Sequence, residues 1–178
     1  MTLPRTLVIA ITFSILAVHA LNGQHTQMPL GMTHEEHLKQ MQKDAELKRR
    51  GTQAMGFDQD KATHHFRLTV SGGMIEVGVT DPANNASRAQ IRSHLHQIAD
   101  DFKKGVFEKP FATHAEVPPG VAVMRRLKEA ISYTFEETPT GALVRIQTVN
   151  AEASRAVHDF LRYQINEHAT GDPLIVQK

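Results

Sequence analysis

The sequence predicts an α+β domain. Two ββα units are expected to form a four-stranded antiparallel sheet with helices on one face, and one further helix precedes the first unit. Three observations support this. Alternating apolar segments occur in two pairs around turn sequences, an amphipathic helix pattern follows each pair, and the composition (40% hydrophobic and 22% charged residues) is that of a globular chain. The predicted domain covers residues 52–178.

The first twenty residues have the features of a secretory signal peptide. Arg5 supplies a positive charge, residues 6–18 form an apolar run, and Val18-His19-Ala20 provides a small-residue exit, so we expect cleavage after Ala20. A bilayer span needs roughly 20 apolar residues, and this run is shorter. A retained N-terminal anchor is the alternative. The pattern favours a periplasmic or secreted protein whose mature form contacts no membrane.

A flexible leader and a helix are expected next. Residues 21–32 are rich in Gly, Pro, Gln and Asn and show no periodicity, which predicts a flexible leader. Thr33 followed by Glu36 is a capping box, and it predicts a helix over residues 33–51. Gly51 is expected to end this helix.

The first ββα unit begins with a predicted hairpin. Gly72-Gly73 is interpreted as its two-residue turn, which places Phe66 opposite Val79 and Leu68 opposite Val77. The helix that follows, over residues 86–104, has a core stripe with helical spacing. The stripe consists of Ile91, Leu95, Ile98 and Phe102.

The second unit follows a predicted loop over residues 105–120 and a short helix around Met124. Residues 138–141 have Pro and Gly in positions typical of a type I turn, which places Phe135 opposite Val144. A last amphipathic helix is expected over residues 151–168. Its inward positions are Val157, Leu161 and Ile165.

The two units share short fragments. The sequence ASRA occurs at residues 86–89 and again at 153–156, and QI occurs at 97–98 and 164–165. The match indicates either an internal duplication of residues 64–104 and 131–168 or a chance similarity between two amphipathic helices.

Four segments resemble a group of small secreted bacterial proteins. They are MGFDQ at 55–59, THHF at 63–66, VPPGV at 117–121 and HDFLRYQI at 158–165. The resemblance covers the chain from residue 51 to the C-terminus. It implies export and a variable, often His-rich leader, and it points to no established activity.

The composition excludes several classes of function. The chain has no Cys, which excludes a disulfide scaffold, a Cys-based zinc site, an iron–sulfur protein and a thiol enzyme. Its 20 basic residues balance 19 acidic ones, so nucleic acid is not an expected partner. The chain contains no nucleophile or phosphate-binding motif. A hydrolase would depend on a His–Asp pair, and the predicted hairpin register offers His64 opposite Asp81.

The N-terminal part of the chain contains a set of potential copper ligands. His34, His37 and Met41 share one stripe of the predicted helix. Imidazole and thioether are ligands that suit copper when thiolates are absent, and thioether favours Cu(I). Solvated histidines on a surface helix are the alternative. The leader adds three further potential ligands, His25, Met28 and Met32.

Three further histidines are candidate metal ligands in the folded domain. They are His64 on the first strand, His94 at the border of its helix's core stripe, and His168 at the end of the last helix, where the helix dipole favours a protonated imidazole. Each of them could instead have a structural role. The sequence predicts an exported metal-handling protein with copper as its cofactor. The alternative is a non-catalytic binding or interaction module that holds an extracytoplasmic protein partner or a small ligand, and a hydrolase is the least favoured class.

Overall fold

A computed structural model describes residues 33–177, so the predicted signal peptide (1–20) and leader (21–32) lie outside the described residues. Five α-helices and four strands follow one another in the order α1, β1, β2, α2, α3, α4, β3, β4, α5. The helices are α1 His34–Met55, α2 Asn85–Lys104, α3 Glu108–His114, α4 Val121–Arg126 and α5 Ala151–Glu167. The strands are β1 Ala62–Thr69, β2 Gly72–Val79, β3 Ser132–Glu137 and β4 Gly141–Gln147.

The four strands form one antiparallel sheet in the order β1-β2-β4-β3, which confirms the predicted α+β class. The two hairpins join through their second strands, with Ile75 opposite Val144 at the centre. The helices of the two ββα units each pack mainly on the hairpin of the other unit: α2 lies on β3 and β4, and α5 lies on β1 and β2. Because each helix covers the hairpin of the other unit, neither ββα unit buries its apolar surface alone. The internal duplication stays a prediction.

The hydrophobic core lies between the sheet and helices α2 and α5. The predicted stripe of α2 is buried, with Ile91 and Leu95 no more than 2% exposed. The inward positions predicted for the last helix, Val157, Leu161 and Ile165, are also buried. Among the helices of residues 33–177, none is both long and apolar enough to cross a lipid bilayer.

The predicted register of the first hairpin is wrong. The turn lies at Val70-Ser71, so Phe66 pairs with Ile75 and Leu68 pairs with Gly73. Gly72 and Gly73 are strand residues, and both are needed for close approach rather than for a turn. A Cβ on Gly73 would come within 2.2 Å of a Leu161 methyl group of α5.

Gly51 does not end the first helix, which continues to Met55. Gly51 is buried, and a Cβ there would lie 1.9 Å from the side-chain nitrogen of Gln59. That nitrogen donates to the Lys48 carbonyl and ties the next segment to the helix. Gly56, with a φ of 77°, is the actual C-cap. The predicted capping box at Thr33 and Glu36 is confirmed.

The second hairpin has the predicted register. Phe135 pairs with Val144, and the Arg145 guanidinium donates to both carboxylate oxygens of Glu136 at 3.0 and 3.3 Å. The segment before it differs from the prediction, because the loop expected over residues 105–120 contains α3. This helix lies beside α1 and brings a further histidine, His114, into the interior.

Candidate functional site

Four histidines from separate elements line one cavity of about 60 Å³ between the sheet and the helices. His64 lies on β1, His94 on α2, His114 ends α3, and His168 follows directly after α5. A cavity of this volume can hold several water-sized groups, since one water molecule needs about 10–15 Å³. We call this cavity, with its four histidines, the histidine pocket.

Local structure explains why each histidine faces the interior. His64 shares its face of β1 with the buried residue Phe66, because side chains alternate along a strand. His94 lies next to Leu95 of the α2 core stripe and is 8% exposed. His168 continues the inward face of α5 by one position beyond its end. His114 is 8% exposed at the end of α3.

The rings contact one another in a connected array. His64 and His168 stack almost parallel, with ring centroids 5.4 Å apart and an angle of 8° between the planes. Phe57 stacks on His64 and Phe66 stacks on His168, with ring centroids 5.9 and 5.6 Å apart. His114 meets His168 edge-on at 5.1 Å. Aromatic contacts therefore connect these imidazoles to one another.

Three buried polar atoms around the pocket have no hydrogen-bond partner among residues 33–177: His64 Nε2, His114 Nδ1 and Gln164 Nε2. His114 Nε2 donates to Gln164 Oε1 at 3.0 Å. Because Nε2 carries the proton of the neutral ring, Nδ1 has a free lone pair. Buried polar atoms in proteins almost always have a partner, so this set points to a bound molecule, ion or water in the cavity.

Burial keeps the pocket histidines uncharged at neutral pH. Loss of solvation lowers the pKa of His64 and of His94 to about 4. Burial, with repulsion from His64 and His114, lowers the pKa of His168 to about 3, so the protonated imidazole expected there from the helix dipole does not form. The pKa of His114 is lowered by burial as well. A neutral imidazole accepts a hydrogen bond or binds a metal ion, and a protonated one does neither.

The remaining wall of the pocket is mainly apolar. It includes Phe66, Ile75, Leu95 and Phe160, and the Met55 side chain joins it from the end of α1. Lys109 also lines the pocket, and its ammonium group binds the Asp101 carboxylate. The pocket thus combines a hydrophobic wall, which includes one methionine, with the uncharged imidazoles and one lysine that is paired with a carboxylate.

The structure separates the predicted metal ligands into two groups. His64, His94 and His168 come together in the histidine pocket. His34 and Met41 are exposed on α1 and His37 is half-buried there, and none of the three lines the pocket. His25, Met28 and Met32 lie outside the described residues. Within residues 33–177, no group of three or more His, Asp or Glu side chains is arranged to hold a metal ion.

Two potential metal ligands of the pocket, His114 and Met55, are not among those that the sequence predicts. His114 lies in a segment without a clear sequence pattern, and Met55 lies beyond the predicted end of the first helix.

The predicted His64–Asp81 pair, on which a hydrolase would depend, is wrong because the shifted hairpin register places Val77 opposite His64. Asp81 instead accepts from the backbone N–H of Ala83 in the turn after β2.

Comparison with known proteins adds no family to this picture. No protein-family model, curated protein or solved structure matches the chain. The resemblance to small secreted bacterial proteins therefore stays a prediction.

Proposed function

We propose that this is an exported metal-handling protein that binds copper with the imidazoles of the histidine pocket. One observation supports the proposal above all: four uncharged histidines line a single cavity, and two of them have a buried ring nitrogen with no partner among residues 33–177. Metal ions bind the neutral form of histidine. The lowered pKa values mean that no proton has to be displaced from these rings at neutral pH.

Copper is the metal that this donor set favours. Imidazole and thioether suit copper, whereas carboxylate and carbonyl oxygens suit Mg²⁺, Ca²⁺ and Mn²⁺. Copper is also the first-row divalent ion with the highest intrinsic affinity for nitrogen and sulfur ligands. The apolar segment at residues 6–18 supports a periplasmic or secreted location, where a protein of this kind would meet copper from outside the cell.

Binding at this site requires movement of the rings. His64 and His168 are stacked face to face, and a ligand nitrogen must point at the ion in the plane of its ring. At least one of the two rings therefore has to turn when copper binds. This reorganisation lowers the affinity relative to a preformed site, because the stacking contacts with Phe57 and Phe66 are lost in part.

The test compares the pocket with the leader. The pocket variant is His64→Phe with His168→Phe, which keeps two stacked aromatic rings and removes their nitrogens. His96→Phe on the exposed side of α2 is the matched control, because His96 does not line the pocket. The leader variant replaces the other predicted ligands: His25→Ala, Met28→Leu, Met32→Leu, His34→Ala, His37→Ala and Met41→Leu.

Copper titrations of the purified proteins, followed by calorimetry, give the readout. The pocket variant is expected to weaken copper binding at least about tenfold, as loss of metal-site residues does. The leader variant and the His96→Phe protein are expected to bind copper at the pocket as before. Equal affinity in the unsubstituted protein and the pocket variant contradicts the proposal, and loss confined to the leader variant assigns copper to the leader instead. Urea unfolding of each variant confirms that it is folded.

A second function is favoured by the apolar wall of the pocket. Small-molecule sites are mainly hydrophobic with a few placed polar groups, as this pocket is. A non-catalytic binding protein would use the His114 and Gln164 side chains to orient an uncharged ligand. Absence of copper binding in every protein, together with a rise in melting temperature on adding small uncharged aromatic compounds, favours this alternative.

A further inference from the structure

We infer that the histidine pocket selects Cu(I) over Cu(II) and that Met55 supplies a thioether ligand beside the histidines. The inference rests on the proposed function, because it specifies the oxidation state of the ion and one ligand at the same site. Three features of the pocket support the inference: the position of Met55, the charge of the groups around the cavity, and the apolar character of the cavity wall.

Met55 is placed in the pocket wall by the end of α1. It is the last residue of the helix, and Gly56 in the left-handed conformation turns the chain away directly after it. The Met55 side chain folds back along the helix, since its terminal carbon lies 3.0 Å from the position of a Cβ on Gly51. The glycine thus leaves room for this side chain, which is half-buried and lines the same cavity as the four histidines.

A thioether distinguishes between the two oxidation states of copper. Sulfur ligands such as Met select Cu(I), whereas imidazole binds several transition metals. The pocket therefore offers Cu(I) one favourable ligand that contributes little to Cu(II) or zinc. Cu(I) is also satisfied by fewer ligands than these ions, so two imidazoles and one thioether complete its coordination.

The charges around the pocket also favour Cu(I) over Cu(II). Of the residues from 33 to 177, those that line the cavity include Lys109 but no Asp or Glu. The imidazole and thioether ligands are neutral, and no carboxylate in the lining compensates the charge of the ion. The Born cost of moving an ion out of water rises with the square of its charge and is about four times greater for a divalent ion than for a monovalent ion of the same size. A largely apolar pocket whose lining has no carboxylate therefore favours Cu(I).

The experiment uses the leader variant as its background, so that only the pocket is measured. Cu(I) is supplied anaerobically with ascorbate, and the protein competes with the chelator bicinchoninate. Cu(II) is titrated separately in competition with glycine. Met55→Leu removes the sulfur and keeps an apolar side chain of similar size. Met74→Leu is the matched control, because Met74 lies on β2 and does not line the pocket.

We expect the background protein to bind Cu(I) at least about tenfold more tightly than Cu(II). Met55→Leu should weaken Cu(I) binding by about tenfold or more and leave Cu(II) binding within about twofold, while Met74→Leu changes neither. The X-ray absorption spectrum of the Cu(I) form should show sulfur scattering that Met55→Leu abolishes. These results do not depend on stability, because a folding defect weakens the binding of both ions.

Two results overturn the inference and leave the proposed function in place. One is tighter binding of Cu(II) than of Cu(I) at the pocket, and the other is Cu(I) binding that Met55→Leu leaves unchanged while His64→Phe with His168→Phe removes it. A background protein that binds neither ion overturns the proposed function and this inference with it.

Discussion

The buried histidines predict that the protein loses stability in mild acid. In the folded chain the pKa is about 4 for His64 and His94 and about 3 for His168, against 6.5 for an unperturbed histidine. Between these values the unfolded chain binds protons that the folded chain does not. Protons therefore favour unfolding, and the stability present above about pH 6.5 falls as the pH approaches the folded pKa values.

The size of the effect follows from the proton count. Each histidine that is protonated only in the unfolded chain changes the free energy of unfolding by about 1.4 kcal/mol per pH unit. Three such histidines give a slope of about 4 kcal/mol per pH unit, and the loss from pH 6 to pH 4.5 is about 5 kcal/mol. A domain of ordinary stability, with about 5–15 kcal/mol in total, therefore loses a large part of it in this interval.

Urea unfolding at several pH values between 7 and 4.5, with EDTA present to remove metal ions, measures this slope. Single His168→Phe should reduce the slope by about 1.4 kcal/mol per pH unit because it removes one titrating ring. His34→Ala with His37→Ala is the control for replacing histidines outside the pocket, since His34 is exposed and His37 half-buried on α1. A free energy of unfolding that is constant from pH 7 to pH 4.5 would refute the reasoning.

Two further predictions concern packing. Leu95 is 2% exposed in the α2 stripe, so Leu95→Ala should lower the free energy of unfolding by about 2–5 kcal/mol through lost burial and a cavity, and a urea-measured loss below about 0.5 kcal/mol contradicts this. Gly73→Ala would place its Cβ 2.2 Å from a Leu161 methyl group and 2.6 Å from the Arg67 carbonyl oxygen. It should therefore lower the free energy of unfolding by about 1–3 kcal/mol, despite the higher strand propensity of Ala. A melting temperature equal to that of the unsubstituted protein contradicts this prediction, because it means that α5 can shift without loss of stability.

Features that depend on neighbouring residues were predictable from the sequence. The capping box at Thr33, the α2 stripe and the second hairpin all rest on interactions within a few positions of the chain. In that hairpin, the Pro and Gly of the turn and the apolar pairs at Phe135 and Tyr133 agree on one register. Each of these patterns is local, so the structure it predicts does not depend on how the rest of the chain folds.

The roles of three glycines could not be predicted from the sequence, because these roles depend on residues that are distant along the chain. Gly72 and Gly73 resemble a hairpin turn, and Gly51 resembles a helix end, yet β4 and α5 approach the first pair and Gln59 lies against Gly51. A missing side chain allows a tight turn and a close approach equally well. Only the tertiary structure decides between them, since the atom that would clash comes from another element.

For the histidine pocket too, the sequence determines some features and the tertiary structure decides the others. Alternation along a strand and the stripes of two helices determined that His64, His94 and His168 face the interior. Their meeting with each other, with His114 and with Met55 depends on how α2 and α5 cross the sheet and where α3 lies, and no local pattern carries that information. The pKa values are equally tertiary in origin, because desolvation of a ring is produced by all the elements that surround it.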